Sequence, residues 1–141
     1  MADFSHLLNQ YKDSLGKALT HLEYSHKKVV KLPTEPTKLD EETLETWESF
    51  TARLARVVDL FTSKYIQAYV KQNDPGFEGS LRDHVNQAEK LGLINSADQW
   101  MAARGLRNIT AHEYKEESLK VFFEHLLEFA PIALSLREKL K

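Results

Sequence analysis

Cysteine is absent from the chain, and glycine and proline are scarce, at five and four residues in 141. Without thiols there can be no disulfide and no thiolate metal site, which fits an intracellular setting. No glycine-rich phosphate loop is present. No apolar run reaches membrane-spanning length, and MADFSHLLNQYKDS breaks its apolar residues with charge, so neither a span nor a leader is expected and the protein reads as soluble and cytoplasmic. There is no large excess of either charge. A net charge of −2 argues against a broad, nonspecific nucleic-acid coat but leaves room for a local basic site, or for a patch built across a dimer.

At 42% hydrophobic, the length suits a single domain over residues 1–141 with a real core. Apolar spacing is helical nearly throughout, with no sustained period-two alternation. Phe4, Leu7, Leu8, Tyr11, Leu15, Ala18, Leu19 and Leu22 mark a first helix to about Lys31, ended by LPTEPTK. Asp40 caps a second, whose stripe from Leu44 and Trp47 to Phe61 and Tyr65 continues to about Lys71. After NDPGFEG, Ser80 with Asp83 opens a short third helix ending at Gly92. Ser96 followed by Gln99 opens a fourth, through Trp100, Met101, Leu106 and Ile109 toward His112. A fifth spans roughly Glu116 to Leu140, with Pro131 expected to bend it. Long helices joined by short breaks favour antiparallel neighbours, so the expected fold is all-α: an up-and-down four-helix bundle with one additional short helix.

Near the end of the fourth helix lies RNITAHEY, which sets Arg107, His112 and Tyr114 in an Arg-x4-His-x-Tyr pattern. A fixed cation can hold a phosphate and stabilise charge growing on it, a histidine can move a proton near neutral pH, and a phenol can donate a hydrogen bond or be modified. Those are the needs of phosphodiester cleavage. On a straight helix Arg104, Asn108 and His112 share a face, with Arg107 beside Arg104, so two guanidinium groups, an amide and an imidazole would line one groove. Arg107 and His112 diverge on an ideal helix. Their convergence needs the helix to end or bend near Thr110, where Ile109 and Thr110 lower helix propensity and Gly105 loosens the preceding turn. Plainer roles stay open: His112 as a cap or dipole partner, Arg107 in a surface ion pair with Glu113 or Glu116, Tyr114 packed over the loop.

Other candidates are weaker. His6, His21, His26, His84 and His125 are scattered without the spacing of a helical zinc site, so no metal and no cofactor is assigned. Trp47 and Trp100 lie on apolar stripes and read as core rather than base-stacking platforms. The basic density at His26, Lys27, Lys28 and Lys31 reads as a solvated helix end, with an RNA-binding edge as the alternative.

The all-helical organisation together with WMAARGLRNITAHEYKEE resembles the HEPN superfamily, and within it the HepT-like proteins and the nucleotidyltransferase substrate-binding-protein family, over nearly the whole chain. The resemblance implies a homodimer whose two motif segments face each other across a twofold cleft, and metal-independent cleavage of RNA as an endoribonuclease. Carried onto this sequence, Arg107 would stabilise the transition state, His112 would transfer protons around 2′-hydroxyl attack, and Asn108 and Arg104 would support them. HepT-like toxins pair with a minimal nucleotidyltransferase antitoxin that attaches AMP to the motif tyrosine, here Tyr114, and such added phosphates would fill the cleft with negative charge. The second reading the resemblance carries is a noncatalytic substrate-binding subunit of a two-component nucleotidyltransferase.

Overall fold

The computed structural model describes residues 3–35, 40–106 and 116–141, with residues 116–118 described by their backbone alone. Every regular element among them is helical: α1 (Ser5–Val29), α2 (Glu41–Leu60), a π-helical turn (Phe61–Tyr65), α3 (Ile66–Asn73), α4 (Leu81–Lys90), α5 (Ala97–Leu106), α6 (Glu116–Leu134) and α7 (Leu136–Lys139). The π turn joins α2 to α3 without leaving helical backbone, since Leu60 and Ile66 on either side are both right-handed α. Among the described residues no helix is long and apolar enough to cross a membrane.

Helix starts are set by side chains that satisfy orphan backbone N–H groups. Asp40 Oδ1 accepts from Thr43 N at 2.7 Å at the start of α2, and Gln99 N donates to Ser96 Oγ at 3.2 Å at the start of α5. At α4 the arrangement is reciprocal: Asp83 N donates to Ser80 Oγ at 3.1 Å while Ser80 N donates to Asp83 Oδ2 at 2.9 Å. These backbone and side-chain bonds from Ser80 hold the Asp83 carboxyl below its ordinary range. Gly79 is required there, because a Cβ at that position would stand 2.7 Å from Asp83 Oδ2. α4 ends on Gly92 at φ +82°, with Leu93 N donating to Ala88 O at 3.0 Å. That is the six-to-one bond of a left-handed glycine stop.

Cross-helix contacts give the topology. Phe4 N meets Gln72 Oε1 at 2.6 Å, Arg53 Nη1 meets Ser25 Oγ at 2.7 Å, and Trp47 Nε1 donates to Pro33 O at 3.3 Å, so α1 runs antiparallel to α2 and α3. Trp100 packs on Phe61 with ring centroids 4.6 Å apart, while Leu106 lies by Thr51 and Ala55, so α5 is antiparallel to α2. Phe123 stacks on Trp47 at 4.2 Å and Phe129 meets Trp100 edge-on at 4.9 Å, which aligns α6 with α2. α1, α2 with α3, α5 and α6 therefore alternate in direction, and α4 is the additional helix outside that alternation. α1 and α5 end, and α2 and α6 begin, at one pole.

Two expectations need adjustment. α1 stops at Val29, and Val30 to Leu32 close it in tighter turns through Lys31 N to Lys28 O at 3.2 Å and Leu32 N to Val29 O at 3.0 Å. The helix from Glu116 passes through Pro131 and breaks at Ser135, four residues later. Pro131 is exposed, so its missing N–H falls on the solvent side, where a broken ladder is least costly.

Two aromatic clusters, Trp47 with Phe123 and Phe122, and Trp100 with Phe61 and Phe129, lie inside the apolar core, and both tryptophans are buried. Trp47→Ala is expected to cost about 3–5 kcal/mol in urea unfolding. A loss below about 1 kcal/mol would mean that this ring does not join α2 to α6.

Candidate functional site

RNITAHEY begins one residue beyond α5. Arg107, Asn108, His112 and Tyr114 lie outside the described residues, and so does the expected continuation of the fourth helix toward His112. What the structure describes is the frame on either side of segment 107–115. α5 delivers the chain at Leu106, and α6 takes it up at Glu116.

Both ends of that frame are anchored. On the α6 side, the Trp47–Phe123 stack fixes the first turns against the start of α2, and Lys120 Nζ pairs with Glu35 Oε1 at 2.6 Å. The hydrogen bond to Glu35, and then its charge, raise the Lys120 pKa above the usual lysine value. On the α5 side, Ala103 and Leu106 seat against Leu54, Ala55 and Val58 of α2 and Leu126 of α6.

Arg104 is the one proposed site residue that the structure describes. Its side chain is 18% exposed. Nη1 donates to Thr62 Oγ1 at 2.8 Å and Ser63 Oγ at 2.9 Å, and stands 3.4 Å from Asp59 Oδ1. Thr62 is fully buried, and its hydroxyl donates to Val58 O at 2.7 Å. That leaves its lone pairs facing the guanidinium. Thr62 and Ser63 belong to the π turn, where the wider backbone closes with Ile66 N bonding to Phe61 O. Such turns insert one extra residue into a helix and locally re-aim its side chains. Arg104 thus joins α5 to the long helix three residues before Arg107, and its guanidinium is engaged by α2 and the π turn.

A groove of about 300 Å³ opens between α5 and α6, floored by Ala102, Leu106 and Phe129 and rimmed by His125 and Glu128. Sequence reasoning left His125 among scattered histidines. The three-residue step to Glu128 was the signal available, and only the packing of α5 beside α6 puts both on a cavity. His84 has a core role: Nδ1 contacts Ser80 O at 2.9 Å, and its ring meets Phe77 edge-on at 4.9 Å. His26 lies 6.1 Å from the Phe50 ring, and burial lowers its pKa. Among the described residues no three acidic or histidine side chains are grouped to hold a metal ion.

Removing the Arg104 guanidinium would strand the Thr62 and Ser63 oxygens and leave Asp59 without that cation. Arg104→Ala is expected to lower stability by about 2 kcal/mol, and Arg104→Lys by roughly half as much because one donor can still reach the turn. A change below about 0.5 kcal/mol for the alanine variant, read from the urea midpoint, would show that α5 does not depend on this contact.

Comparison with known proteins adds to this geometry. A curated protein from Haemophilus influenzae (strain ATCC 51907 / DSM 11121 / KW20 / Rd), named probable ribonuclease HepT, is 31% identical over 75 residues, which cover 53% of this chain and 51% of that protein. The match thus spans about half the length of that relative. No solved structure matches the chain significantly. The family model described as "Nucleotidyltransferase substrate binding protein like" matches residues 10–141. An all-helical bundle, the RNITAHEY signature and a match over nearly the full length together place this chain in the nucleotidyltransferase substrate-binding-protein-like family, with HepT-like, HEPN-type kinship.

Proposed function

We propose that this chain is a HEPN-type, metal-independent endoribonuclease, the toxin of a two-component toxin-antitoxin pair, acting as one domain and as a homodimer in the cytoplasm. The observation that carries this reading is the Arg-x4-His-x-Tyr pattern, in a chain with sequence similarity to a protein named probable ribonuclease HepT. In the proposed reaction the 2′-hydroxyl of RNA attacks the adjacent phosphorus and the 5′-oxygen leaves. His112 of one protomer takes the hydroxyl proton, His112 of its partner returns one to the leaving oxygen, and Arg107 offsets the charge growing on the non-bridging oxygens. Asn108 supports that arrangement. Arg104 supports it from behind, by holding α5 on the π turn.

The partner proposed for the toxin is a minimal nucleotidyltransferase that attaches AMP to Tyr114. The adenylyl phosphate would place negative charge where the RNA phosphate must bind. A second reading has specific support in the family description, which concerns substrate binding to nucleotidyltransferases. In it the same residues present a ligand to a nucleotidyltransferase and cut nothing.

Cleavage of a mixed RNA pool in chelator by purified wild-type protein, run beside His112→Ala and Arg107→Ala, separates the two. The first reading expects cutting by the wild type and a loss of about 10²–10⁴-fold for His112→Ala and 10²–10³-fold for Arg107→Ala. No cutting by wild type shown to carry no modification on Tyr114 would support the subunit reading. Co-expression with a minimal nucleotidyltransferase should add AMP to the wild type, and Tyr114→Phe should escape it while retaining cleavage. AMP found by mass spectrometry on another residue would remove Tyr114 as the acceptor.

A further inference from the structure

The outer face of α1 carries an exposed aromatic ring between cations from two helices. Tyr24 is 59% exposed. Lys28 Nζ lies 4.7 Å from its ring centroid, and Arg53 Cζ of α2 lies 5.9 Å away. Arg53 is held in place by donating from Nη1 to Ser25 Oγ at 2.7 Å and His21 O at 3.2 Å. Ser25 is itself buried. At 3.6 residues per turn, Lys17, Tyr24 and Lys28 point within about 40° of one another over about 16 Å of helix. Lys31 continues the series, exposed on the turn that closes α1.

The acids nearest this face stand at its edges. Glu23 is turned aside to Lys27 at 3.3 Å and Arg137 at 3.9 Å. On α2, Thr46, Ser49 and Arg56 lie beside Arg53, and the exposed Glu45, one turn before Ser49, stands at the edge of that face. On α1 the first acid along the stripe is Asp13, one turn before Lys17. A chain of net charge −2 thus gathers Lys17, Lys28, Lys31 and Arg53 around one exposed ring. Lys28 and Arg53 lie over the Tyr24 ring, and an exposed ring beside cations suits an unpaired base and its neighbouring phosphates, whereas a duplex keeps its base faces stacked inside.

We propose that this face of α1 and α2 binds single-stranded RNA, with Tyr24 stacking one base and Lys17, Lys28, Lys31 and Arg53 engaging the phosphate backbone. The face lies outside segment 107–115. α1 ends at the pole where α5 ends and α6 begins, so a strand held along α1 runs toward the end of α5 and the start of α6. Strand binding here needs no cleavage, so it can hold or fail independently of the ribonuclease reading.

The test is fluorescence anisotropy with a labelled twelve-nucleotide oligouridine, using full-length His112→Ala protein so that cutting cannot interfere. Tyr24→Ala should raise Kd by about 5-fold or more, and Lys28→Ala with Lys31→Ala by about tenfold or more. Lys90→Ala, on α4, should leave it within twofold. These side chains are exposed, and unchanged thermal melts will show the variants folded. With three to four phosphates engaged, affinity should fall about 20- to 50-fold between 50 and 200 mM salt. Equal Kd values for all variants would overturn the proposal. So would binding to phosphatidylserine vesicles without binding to the oligonucleotide, which would make the face a membrane contact.

Discussion

The guanidinium of Arg104, lodged among Thr62, Ser63 and Asp59, couples the helix that leads into RNITAHEY to the helix on which the bundle is built. α2 supplies contacts to α1, α5 and α6, and its line is interrupted only by the π turn that receives Arg104. The two features depend on each other. An extra residue in a helix leaves its backbone bonding weakened and its hydroxyls displaced, and a buried guanidinium needs several acceptors at once. The turn supplies hydroxyls on adjacent residues, and the arginine supplies a donor to both.

That coupling matters because the segment carrying the proposed chemistry is short and begins one residue past the end of α5. Groups that act on one phosphate must be held within fractions of an ångström, and such precision comes from the elements behind them. At the α5 end, the constraint is the Arg104 clasp with Leu106 packed on α2. At the α6 end, it is the Trp47–Phe123 stack and the Lys120–Glu35 pair. Both ends make contacts along α2, near its start through Trp47 and from Thr51 to the π turn through Leu106 and Arg104, so much of the frame on either side of the segment is set by that one helix.

How much of this was legible in the sequence follows from the range of the interactions concerned. Caps and stops act over three to six residues and carry their own side-chain signals, so Asp40, Ser80 with Asp83, Ser96 and Gly92 mark boundaries that the structure reproduces. The four-way alternation of long helices follows from their spacing and short breaks. The π turn had no such signal: FTSKY contains no glycine or proline and keeps the helical apolar pattern, and the turn's partner is more than forty residues away. For the same reason the sequence could place Arg104 on a common face with Asn108 and His112, yet could not foresee that α2 would offer its guanidinium hydroxyl acceptors. The RNITAHEY pattern suggests chemistry from residue types and spacing that are local, and its residues lie outside the described ones. The groove beside His125 was not legible, since it exists only where α5 and α6 lie together.

Charge in this bundle is sorted by position rather than by amount. Glu41 and Glu42 stand in the first turn of α2, and Lys27 and Lys28 in the last turn of α1, each where the helix dipole favours that sign. Because α1 and α2 are antiparallel, those two ends lie at the same pole. On the outer face of α1, near its C-terminal end, positive charge still gathers, because Arg53 reaches from α2 to Ser25 and Tyr24 there. In physiological salt a local field fades within about 8 Å. A polyanion lying on Tyr24 therefore responds to Lys28, Arg53 and their neighbours rather than to the net charge of the chain. Whole-chain charge is for this reason a poor guide to which face of such a bundle meets a phosphate backbone.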